Sequence, residues 1–208
     1  MKYGDSFFDI LYLLVALIIG IIVLKKDSRL SKLMGVSIIT LALGDAFHLV
    51  PRVLNYFINY DFKMYLGVGK LITSITMTIF YIFMYYIYLK NYDVKENKKI
   101  TYTIWLLSII RIILCLLPYN NWLTNDSPFI WGVIRNIPFV IMGLIITILY
   151  FNKRNIDKDF KYIWLYILLS FIFYMIVVLG ASSINILGMF MLPKTICYIL
   201  IIISFNRK

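Results

Sequence analysis

The chain has 208 residues, 62% of them hydrophobic and 15% charged, which is too apolar for an ordinary soluble domain. A formal net charge of +11 would suggest nucleic acid as the partner of a soluble protein. Here most Lys and Arg fall in short connections between apolar segments, so they report orientation and no nucleic-acid partner is expected.

Apolar segments of around 20 residues recur along the whole chain, each long enough to cross a membrane as a helix. The first covers 7–24 and ends at Lys25 and Lys26. It lacks a preceding basic region and a following small-residue cleavage site, so it reads as a retained helix and not a signal peptide. The next segments cover 33–50, 65–89 (long enough to tilt), 100–117 (stopping at Pro118), 129–151, 162–180 and 184–205. The expected fold is an all-α integral membrane protein, a seven-transmembrane helix bundle forming one domain over 1–208. Cys115 and Cys197 both lie inside apolar segments. With one histidine, they cannot supply a disulfide framework or the usual ligand spacing of structural zinc, so no metal or other cofactor is expected.

Alternate connections differ sharply in charge. Lys25, Lys26, Arg29, Lys32, Lys90, Lys95, Lys98, Lys99, Lys153, Arg154, Lys158, Lys161, Arg207 and Lys208 place fourteen basic residues on one side, against Lys2 and Lys63 on the other. The positive-inside rule then puts the N-terminus outside and the C-terminus in the cytoplasm of a multi-pass cell (plasma) membrane protein. Tyr119, Trp122, Trp131 and Trp164 near segment ends fit interfacial belts. The longest polar outer connection, 119–128 (YNNWLTNDSP), can form a lid.

Removing the loop charges leaves Arg52, Lys70, Arg111, Arg135 and Lys194 within or at the edge of the spans, against Asp9 and Asp45. At about 1.5 Å per residue, Arg135 lies roughly 9 Å below the outer end of its helix, and Arg111 and Lys194 lie roughly 15 Å in, near the midplane. Arg52 and Lys70 either snorkel or face the interior. In the stretch 41–52, LALGDAFHLVPR, Asp45, His48 and Arg52 sit at i, i+3 and i+7 on one helical face, and Pro51 should kink or end that helix. Ionisable groups in hydrocarbon cost about 2.5–3.5 kcal/mol each on insertion scales, so they usually mark a site or a polar pathway. The excess of positive groups points to an anionic ligand, a phosphate or carboxylate, bound by Arg52, Lys70, Arg111, Arg135, Asn136 and Lys194. Asn136 followed by Pro138 suggests a locally broken helix inside a polar cavity. Asp45 and His48 form a candidate acid/base pair; alternatively Asp45 is a salt-bridge partner of Arg111 or Lys194. Ser74, Thr73, Thr76 and Thr78 either line a pocket or bond back to their own helix. A retinal-type Schiff base on Lys194 is excluded, because 65–89 contains no carboxylate counter-ion. No GxSxG elbow is present.

The run Gly44-Asp45-Ala46-Phe47-His48-Leu49-Val50-Pro51-Arg52 resembles the GDA-x-x-L-x-P-R segment of the bacterial lysoplasmalogenase-like family of polytopic membrane proteins. Tyr65-x-Gly67-x-Gly69 and Thr78-Ile79-Phe80-Tyr81 add a weaker likeness. The resemblance implies a hydrolase of the vinyl-ether bond of lysoplasmalogens, with intramembrane aspartates as key residues and Asp45 in the place of the first. Vinyl-ether hydrolysis needs a proton delivered to carbon and then water, which a positioned carboxyl can supply. The family's eighth helix, its later Ser-Asp pair (here Ser170-Phe171) and its third-helix His (here Ile75) are not found in this chain.

Two functions are therefore expected. One is an ether-lipid hydrolase acting on an anionic lysolipid, with Asp45 as acid/base and His48 as its partner. The other is a non-catalytic transporter or receptor-like binder of an anionic lipid or metabolite. No inverted repeat supports a transporter, and the short cytoplasmic loops offer little to a receptor's partner.

Overall fold

A computed structural model describes residues 2–181 and 183–208. Among these residues the structure is all-helical, with seven helices long and apolar enough to cross a membrane. They are α1 (Lys2–Leu24), α2 (Arg29–Phe57), α3 (Lys63–Asn91), α4 (Lys98–Leu116), α5 (Phe129–Asn152), α6 (Ile163–Gly180) and α7 (Met191–Arg207). Short 3-10 turns cover Pro118–Asn120 and Asn185–Phe190. Polar side chains start two of the helices. Ser28 accepts from the Ser31 amide at 2.9 Å and Asn97 from the Lys99 amide at 3.0 Å, satisfying donors that a first turn leaves open.

Each helix packs on the next in sequence, and α7 packs back on α1, closing a ring. α3 also reaches across to α5. The up-and-down order collects 25–28, 92–97, 153–162 and the C-terminus at one end, here called the basic end. The start of α1, 58–62, 117–128 and 183–190 gather at the other. The half toward the basic end is filled by aromatic side chains. Tyr81 meets Phe139 and Phe171 at 5.1 Å, and Tyr88 meets Tyr150 at 5.5 Å. Two of the hydroxyls here are satisfied internally, Tyr85 by Thr101 at 2.7 Å and Tyr150 by the Met84 carbonyl at 2.9 Å. The opposite half is hollow.

Two proline expectations are corrected. α2 does not end at Pro51 but runs on to Phe57. Proline at this position deprives the Phe47 carbonyl of its helical donor. That oxygen faces Gly69 of α3, where a Cβ would lie only 2.2 Å away. The absence of a side chain at Gly69 lets α3 close on the freed carbonyl, so the proline is accommodated between helices. α5 likewise continues unbroken through Pro138 to Asn152. An interior proline removes one hydrogen bond, and a packed neighbourhood tolerates that loss. The last helix also begins later than the hydropathy suggests, because Asn185–Phe190 is a 3-10 turn.

At the basic end, Lys208 Nζ donates to Asp157 Oδ2 at 2.7 Å and Asn91 Nδ2 donates to the same oxygen at 3.0 Å. Burial pushes this carboxyl up. The bonds from Lys208, Asn91 and the Asp159 amide outweigh it and hold Asp157 below its usual range.

Two outcomes follow. Gly69→Ala must push backbone against backbone, and should lower stability by about 1–3 kcal/mol in thermal unfolding. A change below a few tenths would show that the α2–α3 seam has slack. A carboxyl depressed by folding stabilises above its unfolded pKa, and the benefit is lost as pH falls through the folded one. Asp157→Asn should therefore lower the unfolding temperature at neutral pH and change little in strong acid. The opposite order would refute the assigned bonds.

Candidate functional site

The hollow half encloses a cavity of about 390 Å³, within the usual size of small-molecule sites. Every residue marked by the charge pattern borders it: Asp45, His48, Arg52, Lys70, Arg111, Arg135, Asn136 and Lys194. They come from α2, α3, α4, α5 and α7, and α1 adds Asp9. Five basic side chains thus face two carboxylates across one space.

The carboxylates are both engaged. Asp9, 3% exposed, takes Nε of Arg52 at 2.9 Å on Oδ2, and Nη2 of Arg52 closes on the same oxygen. This pair links α1 to α2 and accounts for Arg52 without snorkelling. Asp45 Oδ2 accepts from the Tyr12 hydroxyl at 2.6 Å. Tyr12 lies one turn after Asp9 on the same face of α1. His48 turns away from Asp45, and its Nδ1 donates to the Leu66 carbonyl at 3.3 Å. Asp45 and His48 share a wall of the cavity, yet each is held by a different neighbouring helix.

The remaining cations are not ion-paired. The described residues contain two ion pairs, Arg52–Asp9 and Lys208–Asp157, and neither involves Lys70, Arg111, Arg135 or Lys194. Asp45 therefore does not form a salt bridge with Arg111 or Lys194. Lys70 is exposed. Lys194 Nζ sits 4.7 Å from the Tyr174 ring and 5.6 Å from the Tyr198 ring. Tyr174 in turn donates to Asn136 Oδ1 at 2.9 Å, while Asn136 Nδ2 donates to the Gly132 carbonyl at 2.8 Å. Arg111 is the extreme case. It is 2% exposed, its guanidinium carbon lies 3.2 Å from the centre of the Phe139 ring, and its Nε and Nη1 have no hydrogen-bond partner.

The connection 117–128 folds down over this region. Asn120 is fully buried and its amide caps the end of α4 through the Leu114 and Leu117 carbonyls at 2.8 and 2.9 Å. Its Oδ1 accepts from Arg135 Nη1 at 2.7 Å. Trp122, expected in an interfacial belt, is instead buried. Its indole donates to the Cys115 carbonyl at 2.7 Å and its ring lies 4.4 Å from the Arg135 guanidinium. Gly67 makes this docking possible, since a Cβ there would lie 1.6 Å from the Trp122 carbonyl oxygen. Trp122 and Ser127 both line the cavity.

The hydroxyls of α3 are largely self-contained. Ser74 donates to the Lys70 carbonyl at 2.7 Å, Thr76 to Ile72 at 3.1 Å and Thr78 to Ser74 at 2.8 Å. Thr73 alone crosses to another helix, donating to the Gly44 carbonyl at 2.9 Å. Sequence reasoning did not single out Tyr12, Tyr174, Tyr198 or Asn120. The first could have been found from its i+3 spacing to Asp9, but the others carry no charge to distinguish them from many similar residues.

Compared with known protein families, curated proteins and solved structures, the chain matches none.

A buried, unpaired guanidinium costs free energy that its ring contact only partly returns. Arg111→Met should therefore leave the ligand-free protein as stable as the parent or more stable, by up to about 4 kcal/mol. A loss of more than about 3 kcal/mol, the penalty for breaking a buried pair, would show that Arg111 has a structural partner.

Proposed function

We propose that this chain is a multi-pass membrane protein that binds the anionic group of a lipid or metabolite in the cavity between its helices. The observation that carries the reading is Arg111, buried with unmet donors in a space where five basic groups face two engaged carboxylates. Such a guanidinium is stabilised when an anion enters and supplies charge-assisted hydrogen bonds. The fourteen-to-two division of basic residues supports an N-terminus outside and a C-terminus in the cytoplasm, in the plasma membrane. The cavity would then open toward the outer side, with 117–128 over it as a lid.

Asp45 favours a second reading. It borders the cavity within the segment resembling the lysoplasmalogenase-like family, and Tyr12 fixes its orientation. A protonated carboxyl there would deliver its proton to a vinyl-ether carbon; water would then add to the oxocarbenium ion, and collapse of the hemiacetal would break the ether bond to release an aldehyde and an alcohol. His48, bonded through Nδ1, keeps Nε2 free to serve that water. In this reading the bound anion is the headgroup of a lysolipid.

The first reading is tested by native mass spectrometry on gently purified protein, followed by extraction. An anionic molecule should be retained by the parent and lost from Arg111→Met. An empty parent that neither phosphate nor carboxylate amphiphiles stabilise would refute it. The second reading turns on Asp45→Asn, which should keep binding and lose at least about 100-fold in vinyl-ether turnover, the scale of one general acid. Full turnover in that variant would remove the hydrolase.

A further inference from the structure

We infer that the anion taken by this cavity is a terminal phosphate, a phosphomonoester or diphosphate, in preference to a carboxylate or a phosphodiester. The inference rests on the anion-binding reading above and adds the charge and shape of the group.

Charge balance comes first. Arg52 is neutralised by Asp9. Asp45 is the one other carboxylate on the cavity, and it offsets a single cation among Lys70, Arg111, Arg135 and Lys194. Three positive charges remain. Lys70 is the exposed one of the four, whereas Arg111 is buried and Arg135 and Lys194 are half-buried. At least two must then be balanced from within a space that is walled in part by Met77, Phe139, Val177 and Leu192. Desolvated charge left uncompensated is expensive, so a monoanion only half resolves the imbalance. A phosphomonoester, with a second pKa of about 6, carries nearly two negative charges at neutral pH.

Donor geometry points the same way. The cavity's hydroxyls are already committed. Ser74 donates to Lys70, Thr73 to Gly44, Thr195 to the Met191 carbonyl at 3.0 Å, and Tyr174 to Asn136. Unspent donors are therefore concentrated on cations. Arg111 offers Nε and Nη1, and Lys194 has only aromatic faces beside its ammonium. Arg135 commits Nη1 to the lid and keeps the other edge of its guanidinium. Three cationic groups on α4, α5 and α7 border the cavity, as many as the terminal oxygens of a phosphate monoester. A carboxylate or a phosphodiester presents two. Selection by charge-assisted bonds, with few free neutral donors, also disfavours uncharged polar ligands.

The test uses the full-length protein in an uncharged detergent, above the second phosphate pKa. The probes are dodecyl phosphate, dodecyl methyl phosphate and dodecanoate, which share one chain length and differ in the group. Binding is read by thermal unfolding and by Trp122 fluorescence. Dodecyl phosphate should bind at least about tenfold more tightly than either monoanion, a difference of about 1.4 kcal/mol. Arg111→Gln and Lys194→Gln, each checked for folding by size-exclusion chromatography, should both abolish that preference, so one suffices if the other misfolds. Equal affinity for all three probes overturns the terminal-phosphate assignment and leaves anion binding standing. No binding of any probe overturns both. Inorganic phosphate and pyrophosphate distinguish the source. Affinity matching the dodecyl ester supports a terminal phosphate on a water-soluble ligand, and a large gain from the chain supports one on a lipid.

Discussion

A guanidinium inside an apolar bundle must be given a counter-charge, hydrogen-bond acceptors or a ligand, and the arrangement of this protein follows from how its arginines meet that demand. Arg52 takes the first course, with Asp9 across the α1–α2 interface. Arg135 takes the second, spending Nη1 on Asn120 and resting on Trp122. Arg111 has no ion pair and two donors without an acceptor, and its guanidinium rests on the face of Phe139. Because one helix cannot supply all these partners, α1, α2, α4, α5 and the 117–128 connection are drawn around the same space. The aromatic packing toward the basic end blocks that space from below.

The close α2–α3 seam is what gives the cavity a firm wall. Pro51 frees the Phe47 carbonyl, Gly69 admits it, and Thr73 ties the Gly44 carbonyl a turn deeper. Asp45 lies between these two fixings and His48 directly follows Phe47, so the backbone of both is held against α3. Gly67 then lets Trp122 settle on the start of α3. The same two glycines thus set the spacing of two helices and the seat of the lid. They show how residues without chemistry of their own decide where the charged ones point.

Much of this was legible from charge alone. Seven apolar segments separated by basic connections specify the helices, because length and hydropathy leave few alternatives. Arg111, Arg135 and Lys194 lie three to six residues inside the ends of α4, α5 and α7 that face away from the basic end, and the structure brings all of them to one cavity. The partners were not legible. Asp45 and His48 are three residues apart, which suggests contact, yet Tyr12 and the Leu66 carbonyl compete for them from other helices. Spacing within a helix reports a shared face, and long-range packing decides which bond forms. The prolines misled for a related reason. Their local effect is to interrupt a helix, but Gly69, 18 positions after Pro51, removes the cost of the freed carbonyl. Trp122 looked like a belt residue because nothing in its local sequence records the Cys115 carbonyl it reaches.

The state of the two carboxylates bears on binding against catalysis. A general acid must exchange its proton with substrate, so it needs one oxygen facing the reactant. Asp9 has both of its contacts with Arg52 on Oδ2 and serves as a counter-charge. Asp45 is held through Oδ2 by Tyr12, which leaves Oδ1 for the cavity. Of the two carboxyls it is the one without an ion pair, and any acid/base role for it would run without a second free carboxylate beside it. The cations have no such division of labour. Four of them lack ion pairs; of these Arg111 is buried, Arg135 and Lys194 are half-buried and Lys70 is exposed. Their excess is larger than the needs of proton transfer at Asp45, and under the proposed reading it would be balanced by a multiply charged group. Binding is therefore the more economical explanation of the whole constellation. Any chemistry at Asp45 would be performed on a molecule already fixed by Arg111, Arg135 and Lys194.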